Sequence, residues 1–241
     1  QGTMKKGLGI AIAVGLGMVA AGWIYRDKAP NTEQQLDTAL SSMPVWQVIK
    51  EQEPEFRKKV QDEMLALQKA GKNEQQIIDT VQPKILHLQM ARLQNAPDAN
   101  VVEYMKINME QTAAMQRVSD DNCYRFLYPE VKGGVNPMRL LDKDLMQRRM
   151  QADVDMMRAA VGPDKHTVTP QEIQQAETDV VPIIQKLTGK YGDDIELLQM
   201  PQKGKGKEKQ SCDLVQDLWN NVLALPEPNA AGLIRYAVSD L

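Results

Sequence analysis

Histidine and cysteine each occur only twice in the 241 residues, which excludes most zinc, haem and iron–sulfur centres built by one subunit. Phenylalanine also occurs twice and tryptophan three times, and aromatic residues reach only 5%. A core so short of rings must be made of Leu, Ile, Val, Ala and the 14 methionines, a mixture that favours helices over sheets. Neither sign of charge dominates, and a formal net charge of −3 argues against a dedicated nucleic-acid binder. Catalytic motifs are missing too. Ser41, Ser42, Ser119, Ser211 and Ser239 sit in no Gly-x-Ser-x-Gly elbow. Gly133-Gly134 and Gly204-x-Gly206 lack the preceding strand and following helix of a phosphate loop. No cofactor is expected.

What is present begins with an uncharged run. Gln1-Gly2-Thr3 read as an expression scar before a natural start at Met4. After Lys5 and Lys6, residues Gly7 to Tyr25 carry no charge, and about 19 residues at about 1.5 Å each span roughly 28 Å, the thickness of a bilayer core. Residues 4–26 are therefore expected to form one N-terminal transmembrane helix. The two lysines before it point the N-terminus inward, leaving 27–241 in the periplasm of a bacterial inner membrane. A cleaved signal peptide is the competing reading, with Val19-Ala20-Ala21 before a cut at Gly22. Trp23, Ile24 and Tyr25 prolong the apolar run and suit a membrane interface, which favours the anchor. Gly9, Ala13, Gly17 and Ala21 recur every fourth residue, a small-residue stripe that lets two membrane helices pack as a homodimer. The plain alternative is that Gly and Ala are common in short anchors.

Export changes the meaning of the cysteines. Cys123 and Cys212 are an even pair, so a disulfide between them is the expectation in an oxidising compartment. Neither has a Cys-x-x-Cys partner or a nearby histidine to make it catalytic.

Beyond the anchor, apolar residues recur at helical spacing between short breaks. Thr32 caps a helix towards Ser42, Pro44 opens another, and Pro54 breaks or restarts it. Phe56, Val60, Met64 and Leu67 carry a helix to Gly71, and Asn73 caps the next, with Pro83 as a kink. Asp98 is expected to cap a helix towards Val118, and Asn136-Pro137 to start a long one to Val161. Thr169, Pro170 and Glu172 read as a capping box. Residues 190–200 fit a short strand or a helical turn equally. The Lys/Gly segment 201–210 is expected to be a flexible solvent loop. Ser211 and Asn229 are read as caps of the last two helices. The expected class is all-α, a multi-helix bundle of about seven to nine helices with the one membrane helix.

The chemistry open to such a chain is limited. His87 and His166 fall in different elements without an acidic or thiol partner at ligand spacing. The pairs Met105/Met109 and Met146/Met150 suit a core better than a copper site. Carboxylate pairs at Asp120/Asp121, Asp153/Asp155 and Asp193/Asp194 are matched by ordinary caps, turns and solvated faces. Binding is the remaining class. Past the apolar run, 26 basic residues face 32 acidic ones, about −6, which steers a basic partner. Three roles fit: an immunity protein that blocks an envelope-attacking toxin, a scaffold or assembly factor for an envelope complex, and a helical chaperone. A carboxylate-dependent enzyme is a further alternative. The candidate partner face is the helix after Asn136, with Asp142, Asp144, Asp153 and Asp155.

Overall fold

The computed structural model describes Pro30 and residues 32–239, together with the backbone of 3–4 and 12–13. Among the described residues it is all-helical but for one pairing of two residues each, Thr3–Met4 antiparallel to Ile12–Ala13. Eleven α-helices follow: α1 Glu33–Ser41, α2 Pro44–Gln52, α3 Pro54–Lys69, α4 Glu74–Asn95, α5 Asp98–Val118, α6 Asp120–Leu127, α7 Pro129–Lys132, α8 Lys143–Ala159, α9 Pro170–Tyr191, α10 Glu208–Leu223 and α11 Glu227–Val238. The number exceeds the expected seven to nine because prolines cut the chain into short pieces. Pro44, Pro54 and Pro129 each stand in the first turn of a helix, where the missing N–H has no intrahelical acceptor to lose.

The expected membrane helix over 4–26 is not supported. Most of that stretch, including Gly9, Gly17 and Ala21, lies outside the described residues, and Ala13 belongs to the short extended pairing. No helix among the described residues is long and apolar enough to cross a membrane.

Local chemistry explains most helix ends. Thr32 and Asn73 accept the N–H of Gln35 and Gln76 at 3.1 and 2.8 Å, and Gln76 returns the favour by accepting the Asn73 N–H at 2.9 Å. That closes a full capping box. After α3, Gly71 turns the chain at φ +82°, a left-handed conformation that a side chain resists. Other expected ends move. Ser119, not Asp120, caps α6 by accepting the Asn122 N–H at 2.9 Å. Asp98 lies inside the first turn of α5, after Pro97. Asn136 and Pro137 start only a 3-10 turn, Pro137–Arg139, and α8 begins later at Lys143. Residues 192–198 resolve the strand-or-helix ambiguity as a 3-10 helix, Gly192–Leu198.

Helix α5 is the axis of the bundle, packed by α6, α8, α10 and α11. Val101, Tyr104, Met105, Asn108, Gln111, Thr112 and Met115 along it are fully buried, and Val102, Ile107 and Met109 on other sides are nearly so. A helix wrapped by neighbours shows little amphipathic contrast. Helix α9 lies on α10 and α11, while α2 and α4 bring the N-terminal helices onto α8. Eleven of the twelve methionines whose side chains are described are buried, filling irregular gaps between helices with few aromatic rings to do so.

The 201–210 segment departs from the expected flexible loop. It holds a 3-10 turn, Pro201–Gly204, and the first turn of α10. The Tyr124 hydroxyl donates to the Pro201 carbonyl, and Gly204 is buried so close to that ring that any Cβ would fall 2.5 Å from Tyr124 Cε1. Three of its lysines are engaged: Lys203 with Glu196 at 3.3 Å, Lys207 with Asp194 at 2.6 Å and Lys209 with Asp213 at 2.5 Å. Because α10 starts at Glu208, Ser211 lies buried within it rather than capping it, and Asn229 donates to Asp179 at 2.9 Å instead of capping α11.

Candidate functional site

The proposed acidic face divides in two. Asp142, Asp144 and Asp155 are exposed. Asp144, Arg148, Gln151 and Asp155 fall at i, i+4, i+7 and i+11 of α8, one stripe about 16 Å long. Across from it, α5 presents exposed Glu103 and Glu110. Arg148 donates to Glu110 at 3.0 Å through Nη1 and pairs with it again through Nη2. That hydrogen bond, outweighing the opposing effect of burial, holds the Glu110 carboxyl below its usual range. Glu103 and Asp144 add to the field that keeps Arg148 charged.

Asp153 does not belong to this face. It is fully buried, and Arg149, equally buried, donates to its Oδ1 from Nε at 3.0 Å. The same guanidinium donates to Gln111 Oε1 at 2.6 Å and to the Tyr104 hydroxyl at 3.1 Å, and its Cζ lies 4.8 Å from the centre of the Tyr104 ring. Burial pushes the Tyr104 hydroxyl up to about 12 against the pull of Arg149. Burial likewise raises the Asp153 carboxyl, with Arg149 opposing. Gln89 of α4 completes the cluster, its amide donating to Met157 Sδ at 3.8 Å. These groups tie α4, α5 and α8 together in the core.

A second cluster, unforeseen from the sequence, joins four elements. Arg235 of α11, 1% exposed, donates to Asp98 Oδ1 at 2.7 Å, to the Ala96 carbonyl at 2.8 Å and to Glu172 Oε1 at 3.1 Å. His166 Nε2 lies 2.6 Å from the same Glu172 oxygen. The Glu172 N–H is capped by Thr169 at 3.2 Å, but its carboxylate turns to Arg235, so only half of the expected capping box forms. Gly232 makes that approach feasible: a Cβ there would sit 3.1 Å from Glu172 Cγ. Cavities of about 150 and 320 Å³ lie on either side, both bordered by Glu172 and Gly232. Glu172 Oε2 is buried without a hydrogen-bond partner among the described residues. No helical spacing could have signalled it, since His166 lies in the loop before α9 begins at Pro170 and Arg235 is more than sixty residues from Glu172.

The remaining expectations distribute as follows. Cys123 of α6 and Cys212 of α10 are fully buried at disulfide-bonding distance, with Cα atoms 6.3 Å apart. His87 is exposed on α4, far in sequence and element from His166. Met105, Met109, Met146 and Met150 are buried, and no group of three or more His, Cys, Asp or Glu among the described residues is placed to hold a metal ion. Comparison with known protein families, with curated proteins and with solved structures gives no match.

Proposed function

We propose that this chain is a protein-binding module that presents the acidic face of α5 and α8 to a basic partner. Its place is the periplasmic side of a bacterial inner membrane, held there by the N-terminal run, and its most concrete role is that of an immunity protein occluding an envelope-attacking toxin. The observation that carries the docking face is the exposed set Asp142, Asp144 and Asp155 beside Glu103, with Glu110 already paired to Arg148. Such a surface steers a cationic partner and speeds its encounter. Two features weigh against the competing roles. A chaperone needs an exposed apolar cradle, whereas eleven of the twelve methionines whose side chains are described are core. A carboxylate-dependent enzyme needs two acids converging on a pocket. Asp98 and Glu172 do converge, but on Arg235, and only Glu172 borders the cavity.

The test is affinity capture from the producing bacterium with the full chain and with the triple variant Asp142→Lys, Asp144→Lys, Asp155→Lys. All three positions are exposed, so the fold is expected to survive, as circular dichroism will show. The captured partner should associate at least about tenfold more slowly with the variant, and the salt dependence of its on-rate should shrink. Unchanged association of every captured protein overturns the docking face.

A further inference from the structure

A cavity of about 550 Å³ opens between α1, α2 and α3, sharing no residue with the α5/α8 face. Its floor is formed by Arg57 and Gln61, one turn apart on α3, which are only 6% and 8% exposed. Polar side chains this deeply buried normally have their hydrogen bonds made. Among the described residues Arg57 Nε and Nη2 have no hydrogen-bond partner. The nearest carboxylate, Asp37 of α1, leaves Oδ1 3.7 Å from Nη2, beyond hydrogen-bond length. Among the described residues the Gln61 amide also makes no hydrogen bond, although it lines the cavity. A buried guanidinium with unmade hydrogen bonds favours any anion that completes it, and the planar fork of arginine matches a carboxylate in particular. Lys50 on the rim adds positive charge on the same side of the ledger of charges, while Lys58 is neutralised by Asp62 at 3.2 Å.

The α1 wall has the opposite character. Glu33 and Asp37 both face the cavity, and each is exposed. A floor that accepts an anion beneath a wall that accepts a cation suits a small ligand bearing both charges. We propose that this cavity binds a free α-amino acid. Its carboxylate sits on Arg57 and Gln61, and its ammonium faces Glu33 and Asp37. Asp37 makes no hydrogen bond among the described residues, so it is free to turn to the ammonium as the ligand's carboxylate takes the position beside Nη2. The volume lies within the range of small-molecule pockets and leaves room for a side chain.

Calorimetric titration of the full chain with glycine, L-alanine, L-leucine and L-glutamine tests the site. At least one should bind at a single site. Its carboxamide, which lacks the carboxylate, and its N-acetyl form, which lacks the ammonium, should each bind at least about tenfold more weakly. Arg57→Met and Gln61→Leu should each weaken binding by a similar factor. Arg57→Met removes a buried charge with no hydrogen bond at Nε or Nη2, so the fold is expected to hold; should it fail, Gln61→Leu alone decides. The proposal is overturned if none of the four binds at millimolar concentration, if the carboxamide or the N-acetyl form binds as well as the parent, or if the folded variants bind unchanged. Because the docking face is untouched by these substitutions, partner capture by the same variants separates failure here from failure there.

Discussion

Single residues divide into those whose surroundings the pattern reveals and those fixed by distant chain. Asp153 belongs to the first kind. It lies seven and three residues after Met146 and Met150 and four before Met157, all on one side of α8, so helical periodicity already turns it inward. Reading it by charge type alone put it on the surface. Its i−4 neighbour Arg149 is the ion-pair partner that makes such burial tolerable. Arg235 belongs to the second kind, because the Asp98 and Glu172 that neutralise it arrive from other helices. Removing one member of a buried pair strands the other, which costs about 3–5 kcal/mol. Asp153→Ala should therefore lower unfolding free energy by about that amount in urea titration. The double variant Arg149→Met, Asp153→Leu, which removes both charges and keeps apolar volume, should recover most of the loss. If the double variant is as unstable as the single one, the cost lies in packing and not in the stranded charge.

Helical elements were legible where local chemistry decides them. Thr32, Pro54, Gly71, Asn73 and Thr169 all mark ends that the structure keeps. Element identity failed where order comes from non-local contacts. Nothing in the Lys/Gly composition of 201–210 announces that Tyr124 will reach Pro201. The same corner shows how surface charge fastens an element. Lys132 at the end of α7 contacts both Asp121 of α6 and Glu208 of α10, the latter at 3.1 Å. Hydrogen bonds from Lys132 and Arg125 hold the Asp121 carboxyl below its ordinary value of 3.8. Burial raises Glu208, but the Gly206 N–H and Lys132 outweigh it, leaving the net direction downward. A carboxyl lowered in the folded state binds its proton more readily when unfolded. Its contribution is complete above the unfolded pKa and is lost as pH falls through the folded one. The α6–α7–α10 corner should thus loosen in acid, below about pH 4–5. Hydrogen exchange of the α10 first turn, followed from pH 7 to pH 3 after correction for intrinsic rates, should show falling protection there. In Lys132→Met that pH dependence should be reduced. Equal pH dependence in the two proteins removes the ion pairs as its cause.

At the scale of the whole molecule, all-α architecture followed from composition and periodicity, while the pairing of Cys123 with Cys212 was expected from an even count and export, and the two cysteines do lie at disulfide-bonding distance. The Glu172–Arg235 cluster was not readable, since it assembles residues that become neighbours only when the helices pack, and although Arg57 and Gln61 share one face of α3, the burial of that face against α1 and α2 was not readable either. The cysteine pair also bears on where the molecule works. It joins α6 to α10 across a sequence separation of 89 residues, and closing a loop of that length stabilises by about 4–5 kcal/mol in the chain-entropy model. Two thiols so placed in the core remain reduced in a cytosol and become bonded in an oxidising compartment. Export and oxidation are therefore coupled expectations that one strain can test together. With the chain fused at its C-terminus to an enzyme active only in the periplasm, cells should show that activity. Alkylation of the denatured chain, taken directly from cells into acid quench, should find both cysteines blocked until reductant is added. No activity from that fusion, with activity instead from a complementary reporter that works only in the cytoplasm and both thiols alkylated at once, places the domain on the inner side and removes the envelope toxin as its target. The docking face would then need a cytoplasmic partner, while the amino-acid cavity, which depends only on α1 to α3, would stand unchanged.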